Sequence, residues 1–107
     1  MRLTPIEYER MMVFVAAQMA RRRREAGLKL NQPESVAIIC DEVFEAARAG
    51  KTFDEAVAVG YSVLGEEDVL PGVADMVQRI QLEPLFDDGS QLVTLHQPIS
   101  QRGEHAP

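Results

Sequence analysis

The side chains able to carry chemistry are few and scattered. Two histidines, His96 and His105, one cysteine, Cys40, and 17 carboxylates supply every candidate metal ligand and acid–base group. Metal centres of the zinc type gather His and Cys at short, recognisable intervals. No such interval occurs here. Cys40 falls on the apolar stripe of a helix and reads as a small hydrophobe. His96 falls on a strand, where it reads as a structural hydrogen-bonding group or a contact to a neighbouring chain. The pairs Asp41-Glu42, Glu66-Glu67 and Asp87-Asp88 fall at helix ends and turns and are expected to be solvated rather than to act as acid and base. Neither a Gly-x-Ser-x-Gly elbow nor a phosphate-cradling glycine loop is present. The residues therefore predict no catalytic, cofactor-binding or metal-binding group in this chain.

The run Arg21-Arg22-Arg23-Arg24 has the look of a nucleic-acid patch. On a helix, however, four successive residues point in four directions about 100° apart, so they form no basic stripe. They also fall in the last turns, where cations favour the negative end of the helix dipole. A solvated helix end or salt bridges at an interface are the expected roles.

The elements that must position these groups are legible in turn. Thr4, Pro5 and Glu7 form a capping box with proline in the first turn, opening a helix that runs to about Glu25 with Gly27 as its stop. Asn31 opens a second helix, answered by Glu34, with Pro33 in its first turn and Gly50 at its end. Its apolar residues, Val36, Ile39, Cys40, Val43, Phe44 and Ala47, follow helical periodicity. Thr52 and Glu55 open a third, expected to run to Gly65, with Gly60 on its apolar face as a close-packing point. After Pro71-Gly72, residues 73–78 are expected to make one helical turn. Two strand-like runs follow, Arg79–Phe86 and Gln91–Gln97, joined by Asp87-Asp88-Gly89-Ser90, an Asp-Gly hairpin signal. Pro84 lacks an N–H and marks its strand as an edge or a bulge. The fold class is α+β: three helices followed by an antiparallel hairpin in a single domain, residues 1–99, with a polar tail over 100–107 expected to be mobile.

The first helix stands apart. Met11-Met12-Val13-Phe14-Val15-Ala16-Ala17 is apolar in every direction for about two turns, and such a helix has to be covered on all sides. Two further helices and a hairpin cannot cover it, so an exposed association surface is expected. The plain alternative is an irregular core helix.

Composition bounds the rest. The chain has 107 residues, 46% hydrophobic and 26% charged, with a net charge of −6. That fits one globular domain and disfavours general binding to nucleic acid or anionic membranes, which needs a cationic excess. The single cysteine excludes an intrachain disulfide and fits a reducing compartment. The longest apolar run is far short of the roughly 20 residues that span a bilayer. With no secretory leader at the start of the sequence, a cytoplasmic location is expected.

Several segments, taken in order, resemble the urease gamma subunit family: Met1-Arg2-Leu3-Thr4-Pro5, Gly27-Leu28-Lys29-Leu30-Asn31 with Pro33-Glu34, Val69-Leu70-Pro71-Gly72-Val73, Phe86-Asp87-Asp88-Gly89, and Leu92-Val93-Thr94-Leu95-His96-Gln97-Pro98-Ile99. The family usually has Pro-Asp-Gly where this chain has Asp87-Asp88-Gly89. The resemblance implies an α3-β2 fold and a non-catalytic structural role in an enzyme that hydrolyses urea to ammonia and carbamate. It implies assembly with a beta and an alpha chain as a trimer of heterotrimers, with two nickel ions, their bridging carbamylated lysine and the catalytic histidine all in the alpha chain. No cofactor is expected on this chain, and it is expected to be inactive alone. The residues expected to meet neighbouring chains are Arg2, Leu3, Met11, Phe14, Arg22, Leu28, Lys29, His96, Pro98 and Ile99. A free-standing helical adaptor, a small nucleic-acid regulator, a minimal hydrolase acting alone and a subunit of a divergent urease paralogue are the competing readings.

Overall fold

Helix α1 spans Pro5–Glu25, α2 spans Gln32–Arg48 and α3 spans Phe53–Ser62. The computed structural model describes residues 2–100. All three helices open on the expected capping boxes. The side chains of Thr4, Asn31 and Thr52 each accept from the backbone N–H three residues on, and Glu7, Glu34 and Glu55 each accept from the backbone N–H of the cap. Two donors that helix geometry leaves orphaned are thus satisfied at each start. The first two helices end in left-handed glycines, with φ +82° at Gly27 and +90° at Gly50. The following N–H groups, of Leu28 and Lys51, turn back to the carbonyls of Arg23 and Ala46.

The third helix ends three residues before the expected stop. Gly65 has φ −107°, so it is no left-handed terminator. It opens a separate 3-10 turn over Glu66–Asp68, in which its N–H donates to Asp68 Oδ2 at 2.9 Å and its carbonyl accepts the Asp68 N–H at 3.0 Å. A competing local turn therefore overrides the helical pattern, and Leu64 drops into the core. The anticipated helical turn is α4, Val73–Met76.

The strands form a hairpin in two pieces. β1 (Arg79–Leu82) pairs antiparallel with β4 (Val93–His96), with Ile80 opposite Leu95; β2 (Leu85–Phe86) pairs with β3 (Gly89–Ser90). The ladder breaks at Glu83-Pro84, where proline has no N–H to give, although its carbonyl still accepts from Gln91 at 3.2 Å. Asp87 and Asp88 keep negative φ, and only Gly89 takes up the positive value, +121°.

The core lies between α2, α3 and the hairpin. Ile39 and Val43 from α2, Ala56 from α3, and Ile80, Val93 and Leu95 from the hairpin are all buried there. Gly60 works as anticipated: a Cβ at this position would lie 2.7 Å from Leu95 Cδ1 and 3.1 Å from Val43 Cγ2, so the strand and both helices meet across a bare backbone. Two short parallel bridges, Leu30 to Val69 and Gly65 to Ser100, tie the connecting loops down. Residues 101–107, most of the segment expected to be a mobile tail, lie outside the described residues. None of the helices is long and apolar enough to cross a membrane, among the described residues.

Candidate interaction surface

Helix α1 carries two stripes. One contains Arg10, Val13, Ala17, Ala20 and Arg21; the other contains Tyr8, Met11, Met12, Val15 and Met19. At 100° per residue the two are displaced by about half a turn. The first faces α2, and Ala17 and Ala20 are fully buried there. The second faces outward: Met12 is 68% exposed, and Tyr8, Met11, Val15 and Met19 are exposed too. Phe14 is exposed on its flank. The expectation that this helix would be too apolar for its own chain to cover is met, and the plain alternative of a core helix is not. Contiguous exposed apolar surface is the kind of feature that marks association sites in general.

The inner stripe is held by charge. Asp41 of α2 is 1% exposed, yet it is fully paired. Arg10 Nη1 reaches its Oδ1 at 2.8 Å, and Arg21 Nη2 reaches its Oδ2 at 2.7 Å. Each arginine also takes a second acid, Glu45 for Arg10 at 2.7 Å and Glu42 for Arg21 at 2.6 Å. The Arg10 guanidinium lies 4.7 Å from the centre of the Phe44 ring. Burial works against the charge of Arg21, but hydrogen bonds to Asp41 and Glu42 outweigh it and raise its pKa above the ordinary guanidinium value. The expectation that Asp41 and Glu42 form a solvated pair is corrected for Asp41, which is an interior anion shared by two arginines. Its position was unreadable as such because the pairing is between helices. A signal existed: Arg10 and Arg21 are 11 residues apart, about three helical turns, so they share a face.

The four-arginine run disperses as its spacing requires. Arg21 goes to Asp41, Arg23 to Glu34, and Arg24 to Asp68 at 3.4 Å, while Arg22 is exposed. The salt bridges of this run are therefore within the chain. Cys40 is buried, and desolvation pushes its thiol up to about 11, so it is protonated and inert at neutral pH.

The other expected contact residues separate into two groups. Arg2, Met11, Phe14, Arg22, Leu28, Lys29 and His96 are exposed, and Leu3 is half-buried. Lys29 nonetheless binds the Glu67 carbonyl through its Nζ. His96 offers its backbone N–H to the Tyr61 hydroxyl at 2.9 Å. Pro98 and Ile99, in contrast, fill the chain's own interior. Among the described residues no group of three or more His, Cys, Asp or Glu could hold a metal ion. Of the donors, Cys40 is buried and protonated and both Asp41 oxygens are taken by arginines.

Comparison with known proteins gives this surface a context. The family model described as "Urease, gamma subunit" matches residues 1–99. The chain belongs to the urease gamma subunit family. A curated relative, "Urease subunit gamma/beta" of Streptomyces avermitilis, is 52% identical over 108 residues, covering 100% of this chain and 48% of its own length. This gamma-family chain thus spans about half the length of that relative.

Proposed function

We infer that this chain is a non-catalytic structural subunit of a nickel-dependent urease, whose work is to pack against the catalytic alpha chain. The observation that carries this reading is the outward apolar stripe of α1, which the chain cannot cover itself. Family membership supports it. So does the relative, which is twice as long and bears both gamma and beta in its name. In this reading the two nickel ions would be held by the alpha chain and would supply Lewis-acid chemistry toward the urea carbonyl there. This chain's residues contribute burial and directional contacts: Met11, Phe14 and Val15 supply apolar area, and Arg2, Arg22 and His96 supply the polar rim. A beta and an alpha chain are the partners, three heterotrimers to an assembly.

Co-expression with beta-like and alpha-like chains from the same source tests it. The three chains are expected to co-elute and to hydrolyse urea, whereas this chain alone gives no turnover. Met12→Glu is expected to abolish co-elution while leaving the free chain folded. A chain that stays monomeric beside its partners overturns the structural role, and a stable assembly without urea turnover points to a divergent paralogue.

A further inference from the structure

The two stripes of α1 pose a packing problem. The inner stripe offers alanines, one valine and two arginines to α2, whereas the outer offers Tyr8, Met12, Val15 and Met19. Area burial alone favours the opposite orientation, because the larger apolar side chains gain more from leaving water. Both stripes have helical periodicity, so a roll of about half a turn would present the outer stripe to α2 without changing the helix itself. What distinguishes the observed packing is the set of ion pairs that α1 makes, and among their acids Asp41 alone is almost wholly buried while Glu42 and Glu45 stay open to solvent. Both Asp41 oxygens are taken by α1, one by Arg10 and one by Arg21. A rolled α1 would carry both arginines away and leave an uncompensated interior charge, which is strongly unfavourable.

We propose that Asp41 is an orientation lock, a positioning residue that forces α1 to keep its more apolar stripe outward and so keeps the docking surface presented. The best-attested use of a buried ionic or polar group is to select one packing among several, at a cost in stability. The arrangement here has that form. The two arginines stand three turns apart, so the single acid fixes both the rotation and the axial position of the helix. The alanines between them let α1 approach α2 closely enough for both guanidinium groups to reach it. The inference concerns the chain by itself and holds whichever partner covers the outer stripe.

The test is peroxide oxidation of the full chain under single-hit conditions, read residue by residue by mass spectrometry. Met12 and Met19 report the outer stripe, and Met76, exposed on α4, is the internal reference. In Asp41→Asn the carboxylate is replaced by a neutral group of the same shape. Far-UV helicity is expected to persist while oxidation of Met12 and Met19 slows roughly tenfold relative to Met76, as the rolled packing takes over the population. Unchanged ratios in a folded variant overturn the proposal. Faster oxidation with loss of α1 helicity overturns it as well, because that would show Asp41 holding α1 on rather than turning it. Arg21→Gln removes one arm and leaves Arg10 on Asp41. A smaller slowing is expected there, and this variant decides the matter if Asp41→Asn does not fold: slower oxidation supports the lock, and an unchanged or faster rate refutes it.

Discussion

Helices α1 and α2 start alike and end alike, yet they are opposite in what they bury. Both open on a capping box with proline in the first turn, and both stop at a left-handed glycine. The 21 residues of α1 include only two that are fully withdrawn from solvent, both alanines, whereas nine of the 17 in α2 are buried. The sequence pattern points the same way, since α1 contains an apolar run that covers every direction, more than its own chain can cover, and α2 has the tidier amphipathic stripe. The difference teaches that hydrophobicity along a helix states how much has to be covered, not by which molecule. The helix at the centre of the core, α2, is covered by its own chain. The most apolar stretch of α1 is left over, on a chain whose family is named as a subunit.

That contrast predicts where substitution is felt. Ile39→Ala in α2 removes a side chain with no exposure at all. A cost of about 2–5 kcal/mol in urea unfolding is expected, the range for a buried Ile-to-Ala change with incomplete collapse. Gly60→Ala comes next. The new methyl would meet Leu95 and Val43 across the α3–β4 contact, where both neighbours are locked in the core. Overpacking of this kind costs about 1–3 kcal/mol. A melting temperature equal to that of the wild type would show that the hairpin can slide off α3, and would break the picture of one shared core.

Much of this was readable from the residues. The three helix starts are local devices, each complete within four residues, and all three appear where Thr4, Asn31 and Thr52 place them. The hairpin falls where the Asp87-Asp88-Gly89 signal places it, although Asp87 and Asp88 make the turn and Gly89 opens β3; the tight contact at Gly60 follows from a bare position on an apolar stripe. The readable part of the site was the excess of apolar surface on α1. What was not readable depends on long-range pairing. Asp41 looks like any helix carboxylate until α1 is laid beside it. The end of α3 shifts because Asp68, beyond the helix, captures the Gly65 N–H. Pro98 and Ile99 follow the exposed His96 in sequence, but the chain turns at Gln97, where φ is +49°, and drives them inward.

The caps supply smaller effects that sharpen the comparison, because here α1 and α2 should respond alike. Thr4→Ala and Asn31→Ala are each expected to cost about 1 kcal/mol. Glu34 also carries a pH signature. It accepts the Asn31 backbone N–H and then the Arg23 guanidinium, which hold its carboxyl below the ordinary value of 4.5 despite some desolvation. A depressed pKa in the folded state means that the fold favours the carboxylate. The contribution is thus fully present above the unfolded value and is lost as pH falls through the lower, folded one. Melting curves from about pH 6 down to about pH 3 should show Glu34→Gln losing part of the wild type's acid sensitivity, with the two proteins converging at the acid end. Divergence that grows toward low pH would contradict the sign.

The smallest effect on stability carries the most meaning for function. Val15 is 54% exposed on the outer stripe of α1. In the free chain Val15→Ala removes two methyl groups that already face water, so a change within about 0.5 kcal/mol is expected, despite the apolar character of the position. In the proposed assembly the same substitution deletes area at the centre of the contact. Its cost should then appear in dissociation of the complex rather than in unfolding of the chain. A matched pair of measurements, urea unfolding of the free chain and the dissociation rate of the assembly, separates the two. If Val15→Ala destabilises the free chain as much as Ile39→Ala does, α1 is an ordinary core helix and the contrast with α2 disappears. If it leaves both measurements unmoved, the apolar stripe is surface that no partner covers.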